Sequence, residues 1–162
     1  MGVRVLQRTS IIGLILLVTI AISTYHVFGS HFERKLRNET IDAKLQNIEW
    51  VNWKVGLPEK FLQKGDTVLL DFTATWCITC QVNKQLVLER KPVLQAFAKA
   101  DVALLRADWT RPNDMVADYL LKYKRFGIPF NSLYLPGVAE PMIFSEILLV
   151  EKIINLVETR LR

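Results

Sequence analysis

The chain has 162 residues, 51% hydrophobic and 23% charged, enough for one packed domain with an appendage and too few for two ordinary domains. Its formal net charge is +5, but the basic residues are mixed with acids, the densest group is Lys122, Lys124 and Arg125, and no nucleic-acid motif accompanies them, so no nucleic-acid partner is expected. The 2 cysteines, Cys77 and Cys80, are too few for a disulfide-stapled scaffold, and the 2 histidines, His26 and His31, lie beside the N-terminal apolar run, so no structural metal is expected.

Residues 11–28, IIGLILLVTIAISTYHVF, are almost wholly apolar and follow Arg4 and Arg8. As a helix this run spans about 27 Å, enough for a bilayer's hydrocarbon core. A cleavable signal peptide with an apolar region over 11–22 is the competing reading, but the following STYHVFGSHFERK lacks a clear small-x-small cleavage site. An uncleaved anchor over 1–29 is therefore expected. Arg34, Lys35 and Arg37 flank its other side, so positive charge does not orient it.

Residues 30–49 read as a juxtamembrane helix or linker, with Phe32, Leu36, Ile41, Leu45 and Ile48 as a thin apolar face, and a domain is expected over 50–162. Trp50 and Trp53 are expected to pack against its edge. A short helix over 57–63 precedes a turn at Lys64-Gly65-Asp66. TVLLDFT, 67–73, reads as a central strand buried on both faces. After Cys77 a helical pattern runs to about Arg90, with Ile78, Val82 and Leu86 on one face. Pro92 opens a helix over 93–99, and 102–109 form a second central strand. Asn113 or Asp114 caps a helix to Lys124 that buries Val116, Leu120 and Tyr123. Strands follow at 131–135 and 142–144, around a Pro136-Gly137 turn. Ser145 then caps a last helix with Ile147, Val150, Ile154, Val157 and Leu161 on one stripe. The order β-α-β-α-β-β-α predicts an α/β, thioredoxin-like fold, a mixed sheet flanked by helices, behind one N-terminal transmembrane helix.

Cys77 falls where a buried strand gives way to a helix. The free amides and dipole of a helix N-terminus favour an anion, so they favour the nucleophilic thiolate at Cys77. Cys80 follows one turn later, placed to resolve a mixed disulfide. Asp71, an acid inside an apolar strand, is costly to bury unless partnered or protonated, and is expected to exchange a proton with Cys80. Trp76 is expected to shield the nucleophile and offer a contact surface.

The segment from Asp71 to Asn83, DFTATWCITCQVN, resembles the active-site segment of the C-terminal thioredoxin-like domain of DsbD-type thiol:disulfide interchange proteins. Ala107-Asp108-Trp109-Thr110 resembles that family's second signature, Gly127-Ile128-Pro129 sits where the fold carries its cis-proline loop, and the tail from Pro141 to Leu148 resembles a sub-branch. The resemblance implies that Ile128 and Pro129 dock an extended substrate segment, and that Phe130 makes the groove more apolar. It implies a reductase of protein disulfides that faces the periplasm from the inner membrane, draws electrons from a separate multi-spanning partner, passes them to protein clients, and needs no cofactor beyond the Cys77–Cys80 pair. Thr75 and Lys84 stand where relatives often carry acids, which implies a lower thiol pKa at Cys77. Two alternatives remain open from the residues. One is a reductase for cytochrome c maturation, although the usual proline inside the CxxC is missing. The other is a copper-binding thiol module.

Overall fold

The computed structural model describes residues 3–160, with side chains described over 16–159. Two compact units are present, Met1–Asp42 and Ala43–Arg162. Helix α1 spans Val3–Gln46 and continues through the expected end of the anchor at 29. No proline interrupts this stretch, and its two glycines, Gly13 and Gly29, each cost a helix only about 1 kcal/mol relative to alanine. The hydroxyls of Thr19, Thr24 and Ser30 donate to carbonyls three residues back, so the helix absorbs its own polar groups. Among the described residues no helix is long and apolar enough to cross a membrane. The anchor expected over 11–28 draws on 11–15, whose side chains lie outside the described residues, as does Leu161 of the expected last stripe.

The second unit is built on five strands in the order β1-β3-β2-β4-β5. These are β1 (Trp50–Asn52), β2 (Thr67–Thr73), β3 (Val102–Asp108), β4 (Phe130–Tyr134) and β5 (Met142–Ile143). The first three run parallel, and β4 and β5 are antiparallel to their neighbours. All seven residues of β2 are buried, as expected of a central strand covered on both faces. Alternation then divides its side chains. Leu69 joins Leu88, Val93, Phe97, Leu133 and Val157 in one core. Val68, Leu70 and Phe72 join Trp53, Leu105, Val116, Tyr119 and Phe130 in the other. Trp53 is thus a core residue rather than an edge contact, in edge-to-face contact with Phe72 and Tyr119 at 5.0 and 5.1 Å.

The remaining helices are α2 (Leu57–Gln63), α3 (Ile78–Asn83), α4 (Lys91–Lys99), α5 (Asp114–Lys122) and α6 (Val150–Arg160). Asn113 is the cap of α5, its side chain accepting from the Met115 amide at 3.0 Å. Two sequence expectations are corrected. Beyond Asn83 the chain makes a π-turn over Lys84–Leu88, closed by the Glu89 amide on the Lys84 carbonyl at 2.9 Å. Ile78, Val82 and Leu86 face outward, 81%, 43% and 58% exposed, while Cys80, Asn83, Val87 and Leu88 point inward. The inward face was masked by the polar Asn83, whose amide is buried because it holds two backbone groups. It donates to the Glu146 carbonyl at 2.7 Å and accepts from the Leu148 amide at 3.0 Å. That clamp keeps 145–149 out of helix, so α6 starts at Val150. Ser145 donates to the Ile147 carbonyl instead of capping and Ile147 is exposed; of the expected stripe Val157 is buried and Val150 and Ile154 pack against the core, joined by the buried Leu148 and Ile153.

Asn83→Ala is expected to destabilise the domain by about 1–3 kcal/mol for each buried backbone group left unpaired. Leu86→Ser, on the exposed stripe, should stay within about 0.5 kcal/mol. Urea midpoints compare them directly, and equal midpoints would contradict the clamp.

Candidate active site

Strand β2 delivers the chain to Ala74, and a short ordered turn brings it to the start of α3. The Cys77 amide donates to the Ala74 carbonyl at 3.2 Å, and Gln81 Nε2 reaches back to the same carbonyl at 2.7 Å. The end of β3 braces the turn from the side. Thr110 Oγ1 accepts from the Thr75 amide at 3.0 Å, the Thr110 amide and hydroxyl both bond Asp108, and the Trp109 amide donates to the Thr73 carbonyl at 2.7 Å. Asp108 and Thr110 therefore order the loop that carries the cysteines.

Cys77 occupies the N-cap of α3, and its sulfur accepts from the Cys80 amide at 3.2 Å. This is the polarity expected of a helix start that favours thiolate: an amide aims at the first sulfur, and none is available inside the helix to do the same for the second. The two cysteines are joined as a disulfide with Cα atoms 5.2 Å apart, at 7% and 2% exposure. Ile128 packs against Ala74, Cys77 and Cys80, and the Ile128–Pro129 peptide is cis. Trp76 is exposed and lies 6.4 Å, ring to ring, from Trp109. Phe130 does not line a groove: as the first residue of β4 it is buried against Phe72 and Tyr123, on the same face of the strand as the buried Tyr134, four places along the alternation. The exposed aromatic near this loop is Phe126, at 85%.

Asp71 belongs to a second, charged group beneath the strand end. It is buried and lies in register with Arg106 on β3 and Asn131 on β4. Arg106 Nε donates to its Oδ2 at 2.7 Å, and Asn131 Nδ2 donates to its Oδ1 at 2.7 Å. Arg106 also donates from Nη1 to Glu89 at 3.0 Å, Lys84 lies 3.8 Å from the same Glu89 oxygen, and the Trp50 ring covers the guanidinium at 3.8 Å. Burial pushes the Asp71 carboxyl above the ordinary aspartate value, while Arg106, Asn131 and Lys84 pull against it. On the opposite face, Tyr119, Tyr134 and Tyr123 link hydroxyls at 2.5 and 3.0 Å, and burial raises the proton affinity of the first two.

Of the residues expected at the site, Cys77, Cys80 and Ile128 form one cluster, with Pro129 and Trp76 next to its members in the chain. Asp71 sits in the charged group. Sequence reading missed Arg106, Asn131, Glu89 and Phe126. Arg106 was detectable: a basic residue inside VALLRAD must be paired if that strand is buried, and Asp71 presents the matching charge one strand over. Among the described residues no group of three or more His, Cys, Asp and Glu side chains is placed to hold a metal ion.

The fold that carries this site is shared beyond this chain. A thioredoxin-like family profile matches residues 49–136, and the chain belongs to that family. Among curated proteins it is similar to parts of DsbD-type proteins. A thiol:disulfide interchange protein DsbD of Pseudomonas aeruginosa is 41% identical over 75 residues, 46% of this chain and 12% of that protein. The DsbD of Campylobacter jejuni is 25% identical over 125 residues, 75% of this chain and 22% of that protein. The chain thus spans less than a quarter of these relatives' length. The oxidised C-terminal domain of Neisseria meningitidis DsbD shares the fold with a TM-score of 0.55 at 21% identity, covering 70% of this chain and all of that domain.

The raised proton affinity of Asp71 has a thermodynamic signature. On unfolding, the carboxyl reverts to the ordinary aspartate value of about 3.8 and releases a proton that the native state would keep. Above that value the native state binds more protons, so this group's contribution to stability falls as pH rises toward its folded pKa. The stability difference between the unsubstituted chain and Asp71→Asn is therefore expected to shrink with rising pH through that window. Urea midpoints of both proteins from acid to neutral pH read it, and a difference that grows would contradict the direction.

Proposed function

We propose that this chain is a membrane-anchored thiol–disulfide oxidoreductase that reduces disulfides of periplasmic proteins through Cys77 and Cys80. The observation that carries the reading is the disulfide between these residues at the N-cap of α3, against the cis Ile128–Pro129 peptide. In the reduced protein, the Cys77 thiolate attacks one sulfur of a client disulfide, forming a mixed disulfide and releasing one client thiolate. Cys80 gives its proton to Asp71, and its sulfur attacks Cys77 Sγ, releasing the second client thiolate. The client gains two electrons, and the protein is left with the Cys77–Cys80 bond. The pair carries both electrons, so the cycle needs no cofactor in this domain. Trp76, Ile128 and the cis Pro129 form the surface against which the client segment lies, and the exposed Ile78 and Phe126 extend it.

Regeneration requires a donor of two electrons, and the likeness to DsbD-type proteins favours a multi-spanning membrane partner. Anchoring in the inner membrane with the domain on the periplasmic side rests on the apolar run 11–28. In its described part, Leu16, Leu17, Ile20, Ile22, Val27 and Phe28 are all exposed, an apolar surface that a monomer in water does not readily support.

Reduction of insulin by the chemically reduced chain is expected to be lost in Cys77→Ala. Cys80→Ala should retain the first step and accumulate a mixed disulfide on Cys77, visible by mass spectrometry. Full insulin reduction by Cys77→Ala would overturn the reading.

A further inference from the structure

Arg106 is divided between two carboxylates, and the second has no part in the exchange described above. Glu89 receives Arg106 Nη1 at 3.0 Å while Asp71 receives Nε at 2.7 Å. Glu89 reaches that position because the π-turn ends on it. Its amide bonds the Lys84 carbonyl, and the Lys84 amide in turn bonds the carbonyls of Cys80 and Gln81. One run of backbone hydrogen bonds thus leads from the resolving cysteine to the carboxylate that competes for Arg106. Insertions of this kind into helices recur at functional sites.

We propose that Glu89 is a positioning residue for the resolving step: by sharing Arg106 with Asp71, it keeps the guanidinium from being committed to one carboxylate and leaves Asp71 able to accept the Cys80 proton. The inference rests on the reading of Asp71 as that acceptor. The groups facing Asp71 are Arg106 from β3, Asn131 from β4 and Lys84 from the π-turn, with Glu89 acting through Arg106 and Trp50 of β1 closing over the guanidinium. With Asp71 and Glu89 ionised, the four charged side chains sum to zero. Neutralising Glu89 leaves an excess positive charge beside Asp71 and frees Arg106 to act on it alone. Both changes favour the ionised carboxylate and weaken it as a base.

The resolving step can be observed apart from the ionisation of Cys77. The reduced full chain attacks dithionitrobenzoate, leaving thionitrobenzoate on Cys77, and attack by Cys80 then releases that second thionitrobenzoate. The rate of this second release against pH is expected to show an acid limb belonging to Asp71, absent in Asp71→Asn. Glu89→Gln should move the limb to lower pH by about half a unit or more and reduce the plateau rate, whereas Arg106→Gln should move it upward. A merely structural role would lower both rates without moving the limb in opposite directions. A limb in Glu89→Gln that superimposes on the unsubstituted chain, with Asp71→Asn still abolishing it, overturns the inference alone. An unchanged limb in Asp71→Asn overturns the reading of Asp71, and the inference with it. Because Glu89 is partly solvent-exposed, its substitution leaves a folded protein on which the test can be made.

Discussion

A strand with water on neither face can carry a charge only if its neighbours supply the opposite one. All seven residues of Thr67–Thr73 are buried, and Asp71 is the one acid among them. Removing an ion's hydration costs several kcal/mol even after the protein relaxes, and one missing partner leaves most of that uncompensated. The sheet answers from both sides: Arg106 from one neighbouring strand and Asn131 from the other, each in register with the acid. Strand order, register and the identity of two residues distant in sequence are thereby tied to one carboxylate. The same strand carries Thr73 and then the turn into Cys77, so the charged group and the sulfurs share a rigid support.

The second determinant is the start of α3. A helix N-terminus treats the two cysteines unequally, since the first receives an amide hydrogen and the second is enclosed in the helix. The proposed division of two chemically identical side chains into an attacker and a resolver rests on that inequality. Its precision depends on what holds the helix. Gln81 ties it to Ala74, Asn83 ties it to the loop before α6, and the π-turn hands its end to Arg106 through Glu89. The outward stripe Ile78, Val82 and Leu86 is left uncovered beside the nucleophile, on the side a protein partner would meet.

The alternation of short apolar runs with helical periods was readable because it reflects burial alone, and β2, α2 and the cap Asn113 follow from it. The cysteine pair was readable because few residues have its chemistry. What escaped were features in which a polar residue does a core residue's work. Asn83 faces inward, so the apolar spacing of Ile78, Val82 and Leu86 pointed to the wrong face. Ser145 looked like a cap, but the backbone ahead of Val150 is held by a side chain 65 positions away. Asn131 carries no signal of its own, since single-sequence patterns hold no cross-strand register, and Arg106 signals only that a partner is needed. Phe130 was assigned to the groove by its neighbour Pro129, whereas alternation along β4 sends it to the core.

The proposed reductase chemistry rests on the difference between the two thiols more than on any other feature. Timed alkylation of the reduced chain with iodoacetamide at neutral pH, with peptide mass spectrometry to locate the label, measures that difference directly. Cys77 is expected to be labelled well over tenfold faster than Cys80, as the amide contact and the helix start favour its thiolate and burial protects the other. Equal labelling, or faster labelling of Cys80, would contradict the account.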